Sequence, residues 1–350
     1  TQGLYPPGST FKPFMAMALL ESGKITQSSV IPAPGAWSIP GTKHMFRGSV
    51  RSGHGSANLS KAIQVSSDTF FYRLGFEMGI EKIRPYLAEF DFGQQTGIDL
   101  PNEYRGVLPS PEWKEKRFSK LPAEMVPISI GQGYNAYTPL QMAHATATLA
   151  NNGVVYRPHL VKELLDHNKQ QITLIDPKPQ RVLPFKQSNF NYVKAAMAKV
   201  LQPGGTARKI GVGLKYSMGG KTGTAQVVQI AQGKNYNAAA LAEQHRDHAW
   251  FIAFAPMEKP QIAIAVILEN GGWGANAAPL ARGLSDYYLL KLKSGGDHDI
   301  PVDNRNKAGV ENPLLAGSGT VRPSENKITE AFRIIHKPEA AHSAASEAAP

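Results

Sequence analysis

Cysteine is absent from this chain of 350 residues. The chain therefore forms no disulfide bond and has no thiolate that could bind a metal ion or attack a substrate. A protein without cysteine is compatible with an oxidising compartment such as a bacterial periplasm. Apolar runs are also short, since none reaches the roughly twenty residues that a membrane-spanning helix needs. No segment of this sequence is therefore predicted to cross a membrane.

Acidic residues are outnumbered, with 27 Asp and Glu against 38 Lys and Arg, so the net charge is +11 at pH 7. Basic proteins often bind nucleic acids or other anionic polymers and surfaces. However, no helix-turn-helix, RNP-like or zinc-finger pattern accompanies the charge, so we expect no nucleic-acid partner. The hydrophobic content of 42% is that of a globular protein, and the length suffices for one large or two small domains.

A candidate nucleophile and its base stand near the start of the chain, at Ser9 and Lys12. A serine hydroxyl needs a neighbouring base to take its proton, and residues at i and i+3 share one face of a helix. Pro7 and Pro13 predict a helix start close to Ser9, followed by a buried apolar helix over residues 14–20. The helix dipole would favour negative charge developing there. Taken alone, the pair could also be an N-cap serine and a surface lysine.

A second motif, Ser66-Ser67-Asp68, lies between helical patterns over residues 59–65 and 69–78. A corner between two helices is a rigid place from which Ser66 could present its hydroxyl. From there it would relay a proton between Lys12 and a departing amine. The alternative is that Asp68 simply caps the second helix.

A third motif, Lys221-Thr222-Gly223-Thr224, follows two glycines and precedes a β-strand pattern. Glycine lets a backbone approach a ligand closely, and an edge strand can pair with an extended peptide. Lys221 and the hydroxyls of Thr222 and Thr224 suit a carboxylate. The backbone N–H groups of Ser9 and Thr224 are the expected donors of an oxyanion hole.

Taken in order, the motifs match the S-x-x-K, S-x-N/D and K-T-G set of serine enzymes that react with penicillin. The predicted chemistry is acyl transfer through Ser9. The other predicted catalytic residues are Lys12, Ser66 and Lys221, and the predicted substrate-binding residues are Asp68, Thr222, Gly223 and Thr224. Because a lysine is a base only when neutral, we expect burial and the charge of Lys221 to lower the pKa of Lys12. Asp68 stands where Asn is commoner, which leaves its contact with substrate open.

The remaining pattern predicts helices first and strands later. Thr138 as N-cap and Asn151-Asn152-Gly153 as a stop bound one helix. Apolar runs over 249–255 and 261–268 predict an antiparallel hairpin, and a last helix over 278–292 would cover the sheet. Residues 37–55 show no period, which predicts a loop, and the polar segment between residues 228 and 247 is a candidate gate over the cleft.

Longer stretches resemble the class B penicillin-binding proteins. Residues 3–13 look like the active-site signature of that family, and so does Gly131-Gln132-Gly133-Tyr134 with the stretch 138–143 after it. Further stretches resemble the elongation-type branch, penicillin-binding protein 2: residues 221–227, Arg246-Asp247-His248 with 253–256, and 268–272. The resemblance covers roughly residues 3–293.

This resemblance implies an α/β (α+β) fold of the penicillin-binding protein and β-lactamase type, with an antiparallel sheet flanked by helices and an all-helical lobe. Residues 1–293 would form the transpeptidase domain, and residues 294–350, rich in Ala, Pro, Glu and Ser, are predicted to be a disordered tail. In the family, a membrane anchor, a non-catalytic domain and the first strands of the sheet precede the serine. We therefore expect a fragment whose sheet lacks its N-terminal strands.

The implied activity is that of a peptidoglycan D,D-transpeptidase in cell-wall elongation and cell-shape maintenance. Ser9 would attack the penultimate D-Ala carbonyl of a stem peptide, release D-Ala and pass the acyl group to an amine of a neighbouring stem. β-Lactams would trap Ser9 as an ester. The implied partners are stem peptides, β-lactams and a membrane glycosyltransferase, at the periplasmic face of the inner membrane. No cofactor or metal is expected, because His54 without Cys or a nearby Asp makes a poor metal site.

Two other functions are compatible with the motifs. A serine β-lactamase has the same set, but it needs a second base to deacylate the ester, and no acidic loop that would supply one is recognisable. A non-catalytic penicillin sensor or scaffold of the same fold is the alternative from a different class. Penicillin turnover distinguishes the two enzymes, since a β-lactamase hydrolyses the drug continuously whereas a transpeptidase stays acylated.

Overall fold

The computed structural model describes residues 1–110, 125–165, 172–175, 177–227 and 241–292. All of them belong to one unit, Thr1–Asp297. Residues 228–240 of the predicted gate and the predicted tail, 294–350, lie outside the described residues, so both remain predictions. Within the described ranges, no helix is long and apolar enough to cross a membrane.

The first helix, α1 (Lys12–Glu21), follows a 3-10 turn over Gly8–Phe11. Every residue of α1 from Lys12 to Leu20 is buried, as expected for a helix that is apolar all round. Pro13 lies in its first turn, where the missing N–H removes no hydrogen bond. The predicted helix start beside Ser9 is confirmed, and the serine itself lies on the 3-10 turn.

Four short strands follow and form two antiparallel pairs. They are β1 (Val30–Ala33), β2 (Ala36–Ser38), β3 (Met45–Arg47) and β4 (Gly55–Asn58). β1 pairs with β4, and β2 pairs with β3. The prediction of a loop over residues 37–55 was therefore wrong, because strands of three or four residues are too short to show a period of two.

The helical lobe forms around α1. Its members are α2 (Leu59–Gln64), α3 (Asp68–Met78) and α4 (Ile80–Ala88), all of which pack against α1. The short α5 (Met125–Ile128) packs against α3. α6 (Pro139–Ala150) begins with a capping box, in which Gln141 N donates to Thr138 Oγ1 at 3.1 Å and Thr138 N donates to Gln141 Oε1 at 2.9 Å. The predicted N-cap at Thr138 is confirmed.

The chain then forms small antiparallel pairs and two further helices. β5 (Val154–Tyr156) pairs with β8 (Pro179–Val182), and β6 (Glu163–Leu165) pairs with β7 (Ile172–Leu174). α7 (Gln187–Lys199) and α8 (Arg208–Gly211) follow. α7 packs against α1, α2 and the next strand, so it joins the helical lobe to the main sheet.

The main sheet is antiparallel, with β10 (His248–Ala255) between β9 (Gly219–Ala225) and β11 (Ile262–Leu268). Residues 249–255 are all buried, and because alternate residues face opposite sides, both faces of β10 are covered. α6 and α9 (Ala278–Asp286) pack against β10 and β11, and a π-helical turn, Tyr287–Leu292, ends the described chain. The predicted fold class, hairpin and last helix are confirmed. β9 lies at one edge of the described sheet, which leaves its outer side open to a cleft.

Candidate active site

Ser9 lies half-buried on the 3-10 turn and lines a cleft. Gly8 before it has a φ of +54°, a left-handed conformation that favours glycine. Thr10 Oγ1 donates a hydrogen bond to Pro7 O at 2.7 Å, and Lys12 N donates to Ser9 O. The turn therefore holds the serine backbone at the amino end of buried α1, where helical N–H groups lack partners within the helix.

The Ser9 turn, Gly8–Phe11, packs against β9 at distances that leave no room for a side chain. A Cβ on Gly8 would lie 2.5 Å from Thr224 O, and a Cβ on Gly223 would lie 2.8 Å from Pro7 O. The sequence interpretation attributed the glycine of the third motif to the approach of a ligand. In the structure the Ser9 turn approaches Gly223, and Gly223 is not among the residues that line the cleft.

Lys12 is completely buried, and its Nζ donates hydrogen bonds to Ser66 O at 2.9 Å, Ser66 Oγ at 3.1 Å and Asp68 Oδ1 at 2.6 Å. Burial lowers the pKa of Lys12, and attraction to Asp68 opposes this shift. Asp68 is the first residue of α3, and Ser67 is the N-cap residue, so the alternative that Asp68 caps this helix was wrong. The Asp68 carboxylate instead pairs with Lys12 and also lines the cleft.

Ser66 has an unusual backbone conformation, with a φ of +58°. Its N–H donates to Ile63 O at 3.2 Å and Ser67 N donates to Ala62 O at 2.9 Å, the paired hydrogen bonds of a Schellman helix end. Glycine is usual at this position, and a residue with a side chain there costs about 1–2 kcal/mol. The predicted corner between two helices is confirmed, and it places Ser66 Oγ between two lysines.

Lys221 is the second of these lysines. It is completely buried, and its Nζ donates to Ser66 Oγ at 2.8 Å and to Thr222 O at 2.9 Å. Burial lowers the pKa of Lys221 well below its ordinary value, and the charge of Lys12 adds to the shift. As expected, burial lowers the pKa of Lys12, and burial is the largest cause of the shift for both lysines. Repulsion between the two ammonium groups adds to the shift of Lys221.

The outer edge of β9 brings Thr222 and Thr224 to the cleft. Gln132 Nε2 donates to Thr224 O at 2.8 Å, so this carbonyl points away from β10. The N–H and C=O of one residue in an antiparallel strand point to the same edge, so Thr224 N–H is also directed outward. Gly274 N donates to Thr224 Oγ1 at 3.0 Å, which fixes the hydroxyl.

Thr206 is a cleft residue that the sequence analysis missed. Its Oγ1 lies 2.7 Å from Thr222 Oγ1. Its turn is held against the end of α2, where Gln64 Nε2 donates to Pro203 O at 3.1 Å and Thr206 N donates to Gln64 O at 3.4 Å. The one sequence signal is its place directly after Pro203-Gly204-Gly205, a pattern typical of a turn.

The cleft has a volume of about 1010 Å³, and residues of all three motifs line it: Ser9, Ser66, Asp68, Thr222 and Thr224. Its other walls include side chains that the sequence did not assign to a site: Arg47, Arg51, Tyr72, Thr206, Asp247 and Trp273. Burial raises the pKa of Asp247. In the part of the chain that the structure describes, no group of three or more His, Asp or Glu side chains could hold a metal ion.

Comparison with known families now completes this description. The model of the penicillin binding protein transpeptidase domain matches residues 1–286. The chain belongs to this family. The resemblance inferred from the motifs is confirmed, and its elongation-type branch is supported by relatives named MrdA and by structures of penicillin-binding protein 2.

The chain is 47% identical over 296 residues to the peptidoglycan D,D-transpeptidase MrdA of Acinetobacter baumannii, covering 83% of this chain and 43% of that protein. It is 39% identical over 316 residues to MrdA of Escherichia coli, covering 89% of this chain and 49% of that protein. The chain thus spans about half the length of the curated relatives it matches.

Two solved structures share the fold. Penicillin-binding protein 2 of Pseudomonas aeruginosa in complex with WCK 5153 has a TM-score of 0.72 at 39% identity, covering 83% of this chain and 62% of that one. Penicillin-binding protein 2 of Helicobacter pylori in complex with MreC has a TM-score of 0.68 at 35% identity, covering 82% of this chain and 50% of that one.

Proposed function

We propose that this domain is the catalytic part of a peptidoglycan D,D-transpeptidase of cell-wall elongation, with Ser9 as its nucleophile. One observation carries the proposal. The hydroxyl of Ser66 bridges two buried lysines, Lys12 and Lys221, beside the cleft that contains Ser9. Acyl transfer needs a proton to leave the nucleophile and another to reach the leaving group. We assign the first transfer to Lys12, one turn after Ser9, and the second to Ser66, which Lys12 contacts.

The substrate is the D-Ala-D-Ala end of a stem peptide lying along the outer edge of β9. An extended peptide can pair with the backbone of an exposed strand edge. The hydroxyls of Thr222 and Thr224 bind the terminal carboxylate there, with the Lys221 amine beneath them. Asp68 lies across the cleft, where it can accept a hydrogen bond from the peptide.

Acylation begins when neutral Lys12 takes the proton of Ser9. The serine oxygen attacks the penultimate D-Ala carbonyl, and the backbone N–H groups of Ser9 and Thr224 stabilise the oxyanion. Because Lys12 Nζ donates to Ser66 and Asp68 in this structure, base action requires its deprotonated form. Burial favours that form.

Departure of D-Ala needs the proton on its amine. Ser66 relays this proton from Lys12, the C–N bond breaks, and an ester remains on Ser9. An amine of a neighbouring stem then attacks the ester, loses its proton by the same route in reverse, and frees Ser9. A β-lactam forms the same kind of ester, but its leaving group stays attached, so the acyl-enzyme persists.

Intact-mass spectrometry with excess benzylpenicillin tests the proposal, with Ser9→Ala as the matched control. We expect a stable adduct of one drug mass on the chain and none on the variant. Consumption of the drug without an adduct would indicate a β-lactamase. An intact drug without an adduct would favour the non-catalytic sensor or scaffold.

We further propose that the protein works at the periplasmic face of the inner membrane beside a glycosyltransferase. This rests on analogy. The Helicobacter pylori relative forms a complex with MreC, and a relative at 26% identity is part of a peptidoglycan synthase complex that coordinates polymerisation and crosslinking. A pull-down of the full-length protein from solubilised membranes, with and without chemical crosslinking, would detect the polymerase.

A further inference from the structure

The cleft extends beyond the groups that the proposed reaction uses. Its volume of about 1010 Å³ is at the upper end of the roughly 300–1,000 Å³ typical of sites for drug-sized ligands. A terminal D-Ala-D-Ala is much smaller than such a ligand. The part of the wall without an assigned role includes Arg47, at the end of β3, and Arg51, on the turn that follows.

This arginine wall is a built feature of the fold. Gly48 N donates to Gly35 O at 2.9 Å, which closes the end of the β2–β3 hairpin. A Cβ on Gly35 would lie 1.7 Å from Arg51 O, and one on Gly53 would lie 2.5 Å from Gly35 N, so the two backbones are in direct contact. The turn that carries Arg51 is thereby fixed to the hairpin that carries Arg47.

The wall is also fixed to the catalytic part of the cleft. Thr69 Oγ1 donates to Pro34 O at 2.7 Å, and Thr69 follows Asp68 at the start of α3. The arginine wall therefore lies on the Asp68 side of the cleft, whereas Thr222 and Thr224 line it from the edge of β9. Two regions of the cleft suited to anions thus come from different elements of the fold.

The positive charge on this wall indicates an anionic ligand. Arginine is always protonated, and its planar fork matches a carboxylate with two parallel hydrogen bonds. Among the described residues, no ion pair involves Arg47. Any acidic residue of a peptide substrate carries a further carboxylate, in addition to that of its terminal residue.

We propose that Arg47 and Arg51 form a second carboxylate subsite, which binds an acidic residue of the stem peptide upstream of its D-Ala-D-Ala end. The inference rests on the proposed function, because it takes a stem peptide as the substrate. The acidic residue belongs to the donor peptide or to the acceptor peptide, and the two sources bind different states of the enzyme.

Isothermal titration calorimetry distinguishes these sources. The probes are a synthetic pentapeptide with a free acidic side chain next to D-Ala-D-Ala, and the same peptide with that side chain amidated. Each is titrated into the free chain, which reports donor binding, and into the penicilloyl chain, which reports acceptor binding. We expect the free-acid peptide to bind about tenfold more tightly in one of the two states, as hydrogen bonds to a charged group allow.

The arginine variants decide whether the subsite is the cause. In the Arg47→Gln, Arg51→Gln double variant the tenfold preference should disappear, while binding of the amidated peptide stays the same. Lys43→Gln is the matched control, because Lys43 is an exposed cation of the same hairpin that does not line the cleft. This variant should keep the preference. Thermal unfolding of both variants checks that the fold is intact.

The proposal is overturned if neither state of the unmodified chain prefers the free-acid peptide, or if the preference survives in the double variant. An equal loss in Lys43→Gln would also overturn it, since that would show an effect of net charge alone. Failure of the proposed function has a separate signature. In that case benzylpenicillin does not acylate the chain, while titration of the free chain still decides whether the subsite exists.

Discussion

The glycine of the Lys-Thr-Gly motif provides a direct test of how the site is built. A Cβ on Gly223 would lie 2.8 Å from Pro7 O and 2.9 Å from Thr10 N, both backbone atoms at the Ser9 turn. An ordinary contact begins at 3.4 Å, so in Gly223→Ala the turn and β9 must separate by about 0.6 Å, the difference between 3.4 and 2.8 Å. No flexible side chain can absorb this displacement.

The expected cost has a structural and a catalytic part. Overpacking of this kind typically destabilises a protein by about 1–3 kcal/mol. Since a displacement of about 1 Å can lower a rate about 100-fold, we expect acylation of Gly223→Ala by benzylpenicillin to slow by roughly 10- to 100-fold. Thermal unfolding without ligand measures the first effect, and stopped-flow acylation measures the second.

Gly283→Ala is the control, because Gly283 lies in α9 and a Cβ there has no heavy atom within 4 Å. This helical substitution should stabilise the chain by about 1 kcal/mol and leave acylation unchanged. If Gly223→Ala unfolds at the wild-type temperature and only its acylation is impaired, glycine is needed for the approach of the ligand. That result would refute the packing argument.

Four further predictions concern the groups around Ser66 and Thr222. Lys12→Ala should lower penicillin acylation by several powers of ten, as for other nucleophile–base pairs, and near-normal acylation would remove Lys12 as the base. In the unmodified chain, the acylation rate should rise with pH through the pKa of Lys12, because only the neutral amine accepts a proton. Burial places this pKa below 10.5. A pH-independent rate would contradict the prediction. Lys221→Arg should lose as much acylation as Lys221→Ala, because a permanent charge is disfavoured at a buried site beside Lys12. A largely active arginine variant would show instead that the site needs a fixed positive charge. Thr206→Val should slow acylation about fivefold, because it removes roughly 1 kcal/mol of hydrogen bonding to Thr222. Thr206→Ser keeps the hydroxyl and should acylate at close to the wild-type rate. Equal losses in both variants would indicate a packing role.

Much of the site could be predicted because its determinants are local in sequence. Pro7 and Pro13 mark the start of α1, and the helix begins next to Ser9 as predicted. The corner at Ser66 follows from two helical patterns that meet there. The hairpin of β10 and β11 follows from two apolar runs separated by a short polar turn.

What could not be predicted depends on contacts distant in sequence. Thr206 belongs to the site only because its turn packs on the end of α2, which no local pattern records. The arginines of the cleft wall lie in a segment whose strands are too short to show a period. The ion pair of Asp68 with Lys12, at 2.6 Å, opposes the lowering of the Lys12 pKa by burial, and no local pattern predicts that contact.

The contacts around Ser66 limit how the two lysines share their protons. A serine hydroxyl has one proton and two acceptor lone pairs, and Ser66 Oγ lies within hydrogen-bond distance of both Lys12 Nζ and Lys221 Nζ. Two charged lysines would occupy both lone pairs and bury two cations against one carboxylate, which desolvation disfavours. Lys221 is the lysine expected to be neutral, since it lacks the ion pair that Lys12 makes with Asp68. A neutral Lys221 has a lone pair, so it can accept the proton of Ser66 instead of donating to its oxygen, while Ser66 accepts one from Lys12. A concerted shift along these two hydrogen bonds would leave Lys12 neutral only by moving the charge to Lys221, whose pKa is lowered further. The neutral Lys12 that the proposed reaction needs therefore forms by loss of its proton to solvent as the pH rises.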